Sequence, residues 1–370
     1  MKNNLQSNIF FNDYQLSLNE KEKPYFIMMV GLPGSGKSYY AENQIRISKD
    51  YPTGTYPKDN KKIHFNITLS THLLIPPTIH SSDKLRHELY GDAAIQGDNQ
   101  ALFNQLHKNI INDLSNGESV IYDATNIKKS LRIDFLQRIR KIDCEKICVV
   151  MATPYEKCLK RCDERPTDEF RTQKVPPNVV KKMYFNYMPP HKHEGFDDIY
   201  YVFDKSIVDT YSETYNLMNY LFRTAYFDQE NSHHAFSLGG HSIMAVDYVD
   251  QDEIAAKVKN NFDLFKFATV LHDNGKEHTK TKVNFKGIDD GECHYYQHQC
   301  VGAYEAMFYC FIDEEDSDEM SYVCNLIYYH MHPYMSWNRS EKSRNRDLKL
   351  LGEDLYNDIM LLHEADAAAH

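Results

Sequence analysis

The 370-residue sequence predicts an α/β domain, a parallel sheet flanked by helices, followed by an all-α domain. Three observations carry this expectation. From Tyr25 to about Asp204, short apolar runs alternate with helical stretches, the pattern of strands joined by crossover helices. The first run, Tyr25-Phe-Ile-Met-Met-Val30, leads into Gly31-Leu-Pro-Gly-Ser-Gly-Lys37-Ser38, which matches G-x-x-x-x-G-K-[ST] at every fixed position. From Thr210 onward the strand signal fades and helical periodicity takes over.

Taken in order, residues 1–22 are polar and read as a peripheral segment. Residues 25–30 read as a buried strand, and Ser38-Tyr-Tyr-Ala-Glu-Asn-Gln-Ile45 as the opening of a helix. Residues 46–76, with Tyr51-Pro-Thr-Gly-Thr-Tyr-Pro57 and Leu74-Ile-Pro-Pro77 at its end, are longer than an ordinary connection and read as an insertion, in the form of a small hairpin. Further strands are expected at about 77–82, 118–122, 146–151 and 198–203. The boundary falls near 205–225, giving domains at 23–215 and 225–370. Asp313-Glu-Glu-Asp-Ser-Asp-Glu319 reads as a solvated loop.

Bulk properties bound the function. A net charge of −11 argues against a strongly basic nucleic-acid coat, while leaving room for local basic patches. No segment approaches the ~20 apolar residues of a membrane span, and the polar start is not a signal peptide, so a cytoplasmic protein is expected. The eight cysteines then read as reduced thiols. Cys144-x3-Cys148 and Cys158-x3-Cys162 have spacings that a zinc site can use, but Cys148 lies in an apolar strand run.

The phosphate loop carries chemistry. Gly31, Pro33, Gly34, Ser35 and Gly36 let the backbone wrap a phosphate so that N–H groups and a helix N-terminus face the anion. Lys37 would reach the β- and γ-phosphates and Ser38 would hold Mg²⁺, so ATP or another nucleoside triphosphate with Mg²⁺ is the expected cofactor pair. Three further elements follow. In Ser81-Ser-Asp83-Lys-Leu-Arg86, the carboxylate can accept the proton of an attacking hydroxyl and the arginine can hold an acceptor's phosphate; taken alone, the pair is an N-cap Asp with a surface Arg. Asp123 ends the apolar strand Val120-Ile-Tyr-Asp123 and suits a Mg²⁺–water ligand or an acceptor contact. Arg161 and Arg165, read as one helical turn apart, suit a mobile lid over the transferred phosphoryl group, or a solvated helix face.

Together these motifs resemble the P-loop polynucleotide 5′-hydroxyl kinases, including the kinase half of bacteriophage polynucleotide kinase-phosphatases. The likeness covers about residues 25–204 and includes Asp83/Arg86, Asp123-x-Thr-Asn126, Arg161/Arg165 and Val175–Tyr184. The resemblance implies Asp83 as general base, Arg86 as clamp for the 3′-phosphate of the terminal nucleotide, and Arg161 and Arg165 as the lid. Ser82 stands where the phage enzyme carries an arginine, so acceptor contacts are expected to differ. Small-molecule kinases share a weaker form of the pattern. Between Lys157 and Lys182 there are eight Lys/Arg against four acidic residues, which favours a polyanionic acceptor or serves an ATP lid.

Eleven of the 18 histidines lie from His233 onward. In Phe267-Ala-Thr-Val-Leu-His-Asp-Asn-Gly-Lys276, the neighbouring His272 and Asp273 offer an imidazole and a carboxylate that suit a borderline metal ion used for hydrolysis. His241 precedes them; His298, His330 and Asp366 follow as candidate ligands, with His332 an alternative to His330. This order resembles the HD superfamily of metal-dependent phosphohydrolases over about residues 225–370. The resemblance implies an HD domain with a primary metal site at His241, His272, Asp273 and Asp366. It also implies a second metal or phosphate site completed by His298 and His330, and Lys276 on the scissile phosphate. One or two divalent transition-metal ions follow as cofactors. His233, His234, His278 and His363 read as ordinary core or surface residues, and Ala367-Ala-Ala-His370 has the composition of an appended tail.

The combined expectation is a bifunctional enzyme that heals RNA or DNA ends, phosphorylating a 5′-hydroxyl and removing a 3′-, 2′- or 2′,3′-cyclic phosphate, with a separate ligase as partner because no Lys-x-Asp-Gly motif is present. The alternatives are a nucleoside or nucleotide kinase fused to an HD nucleotidase, and a nucleotide-gated regulatory protein with a metal-bound scaffold.

Overall fold

The computed structural model describes residues 9–11, 16–19, 23–50, 72–204, 206–231, 235–312 and 316–369. Residues 51–71 of the insertion, most of 1–22, residues 313–315 of the acidic run, His233, His234 and His370 lie outside them. The first half contains β1 (Ile9–Phe11), β2 (Leu16–Asn19), β3 (Tyr25–Val30), α1 (Lys37–Asn43), β4 (Ile45–Asp50), β5 (His72–Ile75), β6 (Thr78–Ser81), α2 (Ser82–Tyr90), α3 (Asn99–Ser115), β7 (Val120–Asp123), α4 (Lys129–Arg138), β8 (Glu145–Ala152), α5 (Tyr155–Glu164), α6 (Pro177–Tyr184) and β9 (Asp198–Phe203). Six of these strands form one parallel sheet in the order β1-β9-β8-β3-β7-β6.

Every residue of β3 is buried, as a central strand covered on both faces requires. Its side chains divide by parity. Phe26, Met28 and Val30 join a cluster with Leu102, Leu106 and Ile110 of α3 and Phe135 of α4. Tyr25, Ile27 and Met29 join Tyr40 and Ala41 of α1 on the other face. Because β3 sits between β7 and β8, the strand order reverses there, and a crevice opens at the carboxyl ends of the strands. The loop after β3, Asp123 after β7, Asp83 after β6 and Asp204 after β9 all lie along that edge.

The structure departs from the expectations at three places in this half and the next. Part of the segment read as peripheral, β1, adds a parallel edge strand beside β9 with Ile9 opposite Tyr201. The expected hairpin is present as antiparallel β4 and β5, with Ile47 opposite Ile75, and β2 pairs in parallel with β4 to make a separate three-stranded sheet. In the acidic run, Asp316 accepts from the backbone of Asp318 and Glu319, while the Glu319 carboxylate accepts from Asp316 N, a capping box that starts a helix.

The second half contains α7 (Ser206–Thr210), α8 (Leu217–Thr224), α9 (Leu238–Val249), α10 (Asp252–Ala255), α11 (Phe262–Leu271), α12 (Lys276–Thr279), β10 (Thr281–Val283), β11 (Asp289–His294), α13 (His298–Ile312), α14 (Ser317–Tyr329), α15 (Glu341–Leu351) and α16 (Glu353–Ala368). The helical expectation holds, with one addition: β10 and β11 form a short antiparallel hairpin. Among the described residues no helix is long and apolar enough to cross a membrane.

The two halves share one continuous apolar cluster, running from Phe26 and Phe203 through Tyr187 to Tyr304, Phe308 and Leu362. Phe203 stacks on Phe311 at 4.3 Å between centroids, and Tyr187 meets Tyr304 edge-on at 5.0 Å. A buried pair anchors the first half internally. Arg132 of α4 donates from Nε and Nη2 to Glu194, 2.7 Å each, and from its two Nη groups to the carbonyls of Asn126, Met188 and Pro189.

Candidate phosphate-loop site and candidate metal centre

The phosphate loop turns because of its glycines. At Gly34, φ is +80° and a Cβ would collide with the Cys158 carbonyl and meet Cys162 Sγ at 3.0 Å, so α5 presses directly on the loop. Lys37 Nζ donates back to the carbonyls of Gly31 at 3.0 Å and Leu32 at 2.7 Å. Burial lowers its pKa, opposed by the charges of Asp123 and Asp83, so both carboxylates lie within electrostatic reach of the lysine. Ser38 Oγ donates to Asp123 Oδ2 at 2.7 Å, bringing together the two residues expected to share Mg²⁺. The donor set fits that ion: a hydroxyl and a carboxylate, hard oxygens with room left for waters and phosphate oxygens. Asn126, at φ +46°, ties the strands by donating to Met29 O at 2.9 Å, and Gly31 N donates to Thr125 O at 3.0 Å.

Asp83 lies in the first turn of α2 at the end of β6. The N-cap of that helix is Ser81, so Asp83 is free of the capping role that its sequence context allowed. Arg86 Nη1 donates to Asp83 Oδ1 at 3.1 Å, and its Nη2 donates to Asn99 Oδ1 at 3.1 Å. A second guanidinium, Arg171 Nη2, donates to Asp83 Oδ2. Arg171 was counted among the basic residues after Lys157 but not singled out; its pairing spans 88 residues and leaves no local pattern. Both arginines are at least nine-tenths buried, and the Nε of each has no partner among the described residues.

The two arginines expected as a lid separate. Arg161 Nη2 donates to Asp204 Oδ2 at 2.6 Å and its Nη1 approaches Gly34 O at 3.5 Å, so it touches the phosphate loop. Lys157 also pairs with Asp204, and burial of that carboxyl is overcome by the Lys157, Ser206 and Arg161 partners, which draw its pKa down to about 2. Arg165 caps the helix that ends at Glu164: its N–H still donates to Arg161 O at 3.1 Å, one turn on, while its ψ of 124° before Pro166 turns the following chain away, and the residue is exposed. Part of the basic surplus is thus spent internally, on Asp204 and Asp83. Behind the loop, Thr153 Oγ1 donates to Ser35 O at 3.0 Å, and Tyr304 of α13 donates to Thr153 O at 2.6 Å.

The histidines converge on a second site. His241 of α9, His272 and Asp273 after α11, and Asp366 of α16 are buried and place their ligand atoms within 4.8 Å of one another; Asp273 does the same with His298 and His330. His241 Nε2 lies 3.2 Å from His272 Nε2 and 3.0 Å from Asp366 Oδ1. His298 Nε2 lies 3.1 Å from His330 Nε2 and 3.2 Å from Asp273 Oδ1. Asp273 Oδ2 faces the first pair and Oδ1 the second, so this carboxylate bridges the two groups. All four Nδ1 atoms face backbone carbonyls, of Ala369, Thr269, Tyr295 and Ile327. A carbonyl only accepts, so each Nδ1 carries a proton and each ring turns its Nε2 inward. Lone pairs facing each other at 3.1–3.2 Å repel unless a cation lies between them, so the donor set fits one or two divalent transition-metal ions.

Charges around the cluster pull its members in different directions. Burial would raise the Asp273 pKa, yet Lys276, His272 and His298 hold it well below the usual range. Burial opposes a charge on His272, but Asp273 and Asp366 push its pKa up to about 9; burial with His298 and His272 pushes His330 down to about 3. Lys276 Nζ donates to Asp273 Oδ2 at 2.6 Å and to Gln229 Oε1 at 2.9 Å. His332 is outside the cluster, 4.5 Å between centroids from Tyr329 and turned toward Trp337, so the choice between His330 and His332 resolves to His330. Tyr334, in a widened helical turn at Pro333–Trp337, lies within electrostatic reach of Asp366, whose charge adds to burial in raising the phenol pKa; it had no sequence signal. Ala369, in the segment with the look of a tail, is buried and supplies the carbonyl for His241.

The first half is a P-loop domain by its sheet order, its loop and the Ser38–Asp123 pair. Comparison with known proteins agrees: residues 26–190 match the family model described as "AAA domain". Among solved structures the chain is similar to one described as "Structure of the Pnkp1/Rnl/Hen1 RNA repair complex", at 22% identity over 44% of this chain and a TM-score of 0.32. The chain spans 44% of the length of that solved chain. No curated protein matches it.

Proposed function

We propose that the chain is an end-healing enzyme: its P-loop domain phosphorylates 5′-hydroxyl ends of RNA or DNA, and its helical half removes a 3′-, 2′- or 2′,3′-cyclic phosphate from the opposite end. The observation that carries the kinase reading is Asp83, a carboxylate on the same sheet edge as the phosphate loop and flanked by Arg86 and Arg171. In the reaction the acceptor oxygen attacks the γ-phosphorus, its proton passes to Asp83, and the bond to the β–γ bridging oxygen breaks to release the nucleoside diphosphate. Lys37 leaves its carbonyl contacts to reach the phosphates, Arg161 stands against Gly34 to meet charge on the transferred group, and Arg86 holds the acceptor's phosphate. Ser38 and Asp123 would hold Mg²⁺, which would supply charge neutralisation for the phosphates.

In the helical half, His241, His272, Asp273 and Asp366 would hold a divalent metal, and Asp273, His298 and His330 a second metal or a phosphate; the metal would supply Lewis-acid activation of water and phosphate oxygen. Lys276 hydrogen-bonds Asp273 and is placed to meet a phosphate oxygen next to it. The HD reading rests on this constellation. Breakage that leaves a 5′-hydroxyl and a phosphorylated 3′ end requires both activities before a separate ligase can act.

The test is label transfer from γ-labelled ATP to a 5′-hydroxyl oligonucleotide, alongside phosphate release from 3′-phosphate and 2′,3′-cyclic phosphate ends with added divalent metals. Transfer to nucleosides with indifference to oligonucleotide length would replace the polynucleotide reading with a small-molecule one. Phosphate release that survives His272→Ala together with Asp273→Asn would remove the metal centre from the reaction.

A further inference from the structure

Next to Asp83 lies an aromatic pair that the proposed reaction does not yet use. His87 is one helical turn beyond Asp83 on α2, and its ring stacks on Phe170 at 5.0 Å between centroids and 27°. Phe170 is 37% exposed and directly precedes Arg171, whose guanidinium grips Asp83. The segment that carries both is fixed, although it lacks regular structure. Ala93 N donates to Phe170 O at 2.9 Å, Arg171 N donates to Asp168 Oδ1 at 2.9 Å, and Asp168 N donates to Arg171 O at 3.0 Å. Asp92 accepts from Thr172 N at 3.3 Å and from the Thr172 hydroxyl. Residues 168–172 are therefore clamped to the loop that follows α2, and Phe170 holds its position relative to Asp83.

We propose that Phe170, backed by His87, is the platform on which the nucleobase of the acceptor's 5′-terminal nucleotide stacks. The inference rests on the kinase reading and names what recognises the acceptor. A nucleotide end presents a hydroxyl, a phosphate and a planar base. Here a carboxylate, two guanidinium groups with spare Nε donors, and an exposed ring face with a second ring behind it stand within one turn of helix and one adjoining segment. A ring face accepts any base, because every base offers a π-surface, so the platform selects for a nucleobase without reading its identity. The arginines on either side of Asp83 supply the positive field that a polyanionic end requires.

The test compares 5′-hydroxyl oligonucleotides that carry or lack a base on the terminal nucleotide, using the full chain with ATP and Mg²⁺. With the base present, Phe170→Ala is expected to raise KM about 10-fold, with a smaller effect on kcat, as loss of one base–aromatic stack implies. Phe170→Trp is expected to restore KM. On the abasic acceptor, Phe170→Ala and the unaltered protein are expected to have the same KM. An unchanged KM on the base-bearing acceptor, or an equal rise on both acceptors, overturns the platform while the kinase reading stands. Absence of transfer by the unaltered protein to either acceptor removes the kinase reading and the platform with it.

Discussion

Asp83 is a carboxylate whose surroundings decide its role. Two guanidinium groups hold both of its oxygens, and neither is a neighbour of the phosphate loop in sequence. As the proposed general base it would contribute on the order of 10²–10⁴-fold, so Asp83→Asn is expected to lower kcat by that factor with a modest change in KM, measured by label transfer at saturating ATP. The same scale of argument applies to Asp273, which faces both histidine pairs. Asp273→Asn halves the charge of the cluster and removes its bridge, so metal content after dialysis is expected to fall below that of the unaltered protein by at least half, measured by elemental analysis. Most of these residues were legible because their chemistry is local: a glycine pattern, a His-Asp dipeptide, an acid at a strand end. Arg171 was not, because its meaning depends on a contact across the fold.

At the scale of elements, the five central strands were legible from apolar runs because a strand buried on both faces is apolar at nearly every position. The short edge strand β1 and the polar hairpin β10–β11 were not, since neither has enough length or alternation to stand out. The connection between α4 and the segment before β9 depends on the buried Arg132–Glu194 pair, with both side chains fully enclosed. Removing one partner strands the other charge, so Arg132→Ala is expected to destabilise the protein by about 3–5 kcal/mol, measured by denaturant unfolding. Arg132→Met together with Glu194→Leu is expected to cost much less, because no unpaired charge remains.

The two halves are packed as one body among the described residues: one apolar cluster runs through both and polar contacts cross between them. Tyr184 and Tyr215 both donate to the buried Glu305 of α13, and Lys129 of α4 pairs with Asp347 of α15. Its acid stability has a defined source. Burial, reinforced by Arg138, pushes His107 down to about 4, and burial with His193 and Lys129 does the same to His191. His191 Nδ1 accepts from His193 N at 3.2 Å, which requires the neutral ring and caps the turn carrying Glu194. Since both folded-state values lie below the unfolded one near 6.5, the unfolded chain binds more protons between about pH 6.5 and 4, and stability rises with pH across that window. The urea midpoint is expected to fall as the pH drops from 6.5 toward 4, with a shallower fall in His107→Gln.

The histidine–aspartate cluster also sets an order of events during synthesis. Its ligands are spread from His241 to Asp366, 125 residues apart, and the carbonyl that fixes the His241 tautomer belongs to Ala369. At the pace of translation that interval lasts roughly 6–25 s, during which the P-loop domain has already left the ribosome. A metal ion bound there as proposed would be held only once Asp366 and Ala369 had been added, after every residue of the phosphate loop.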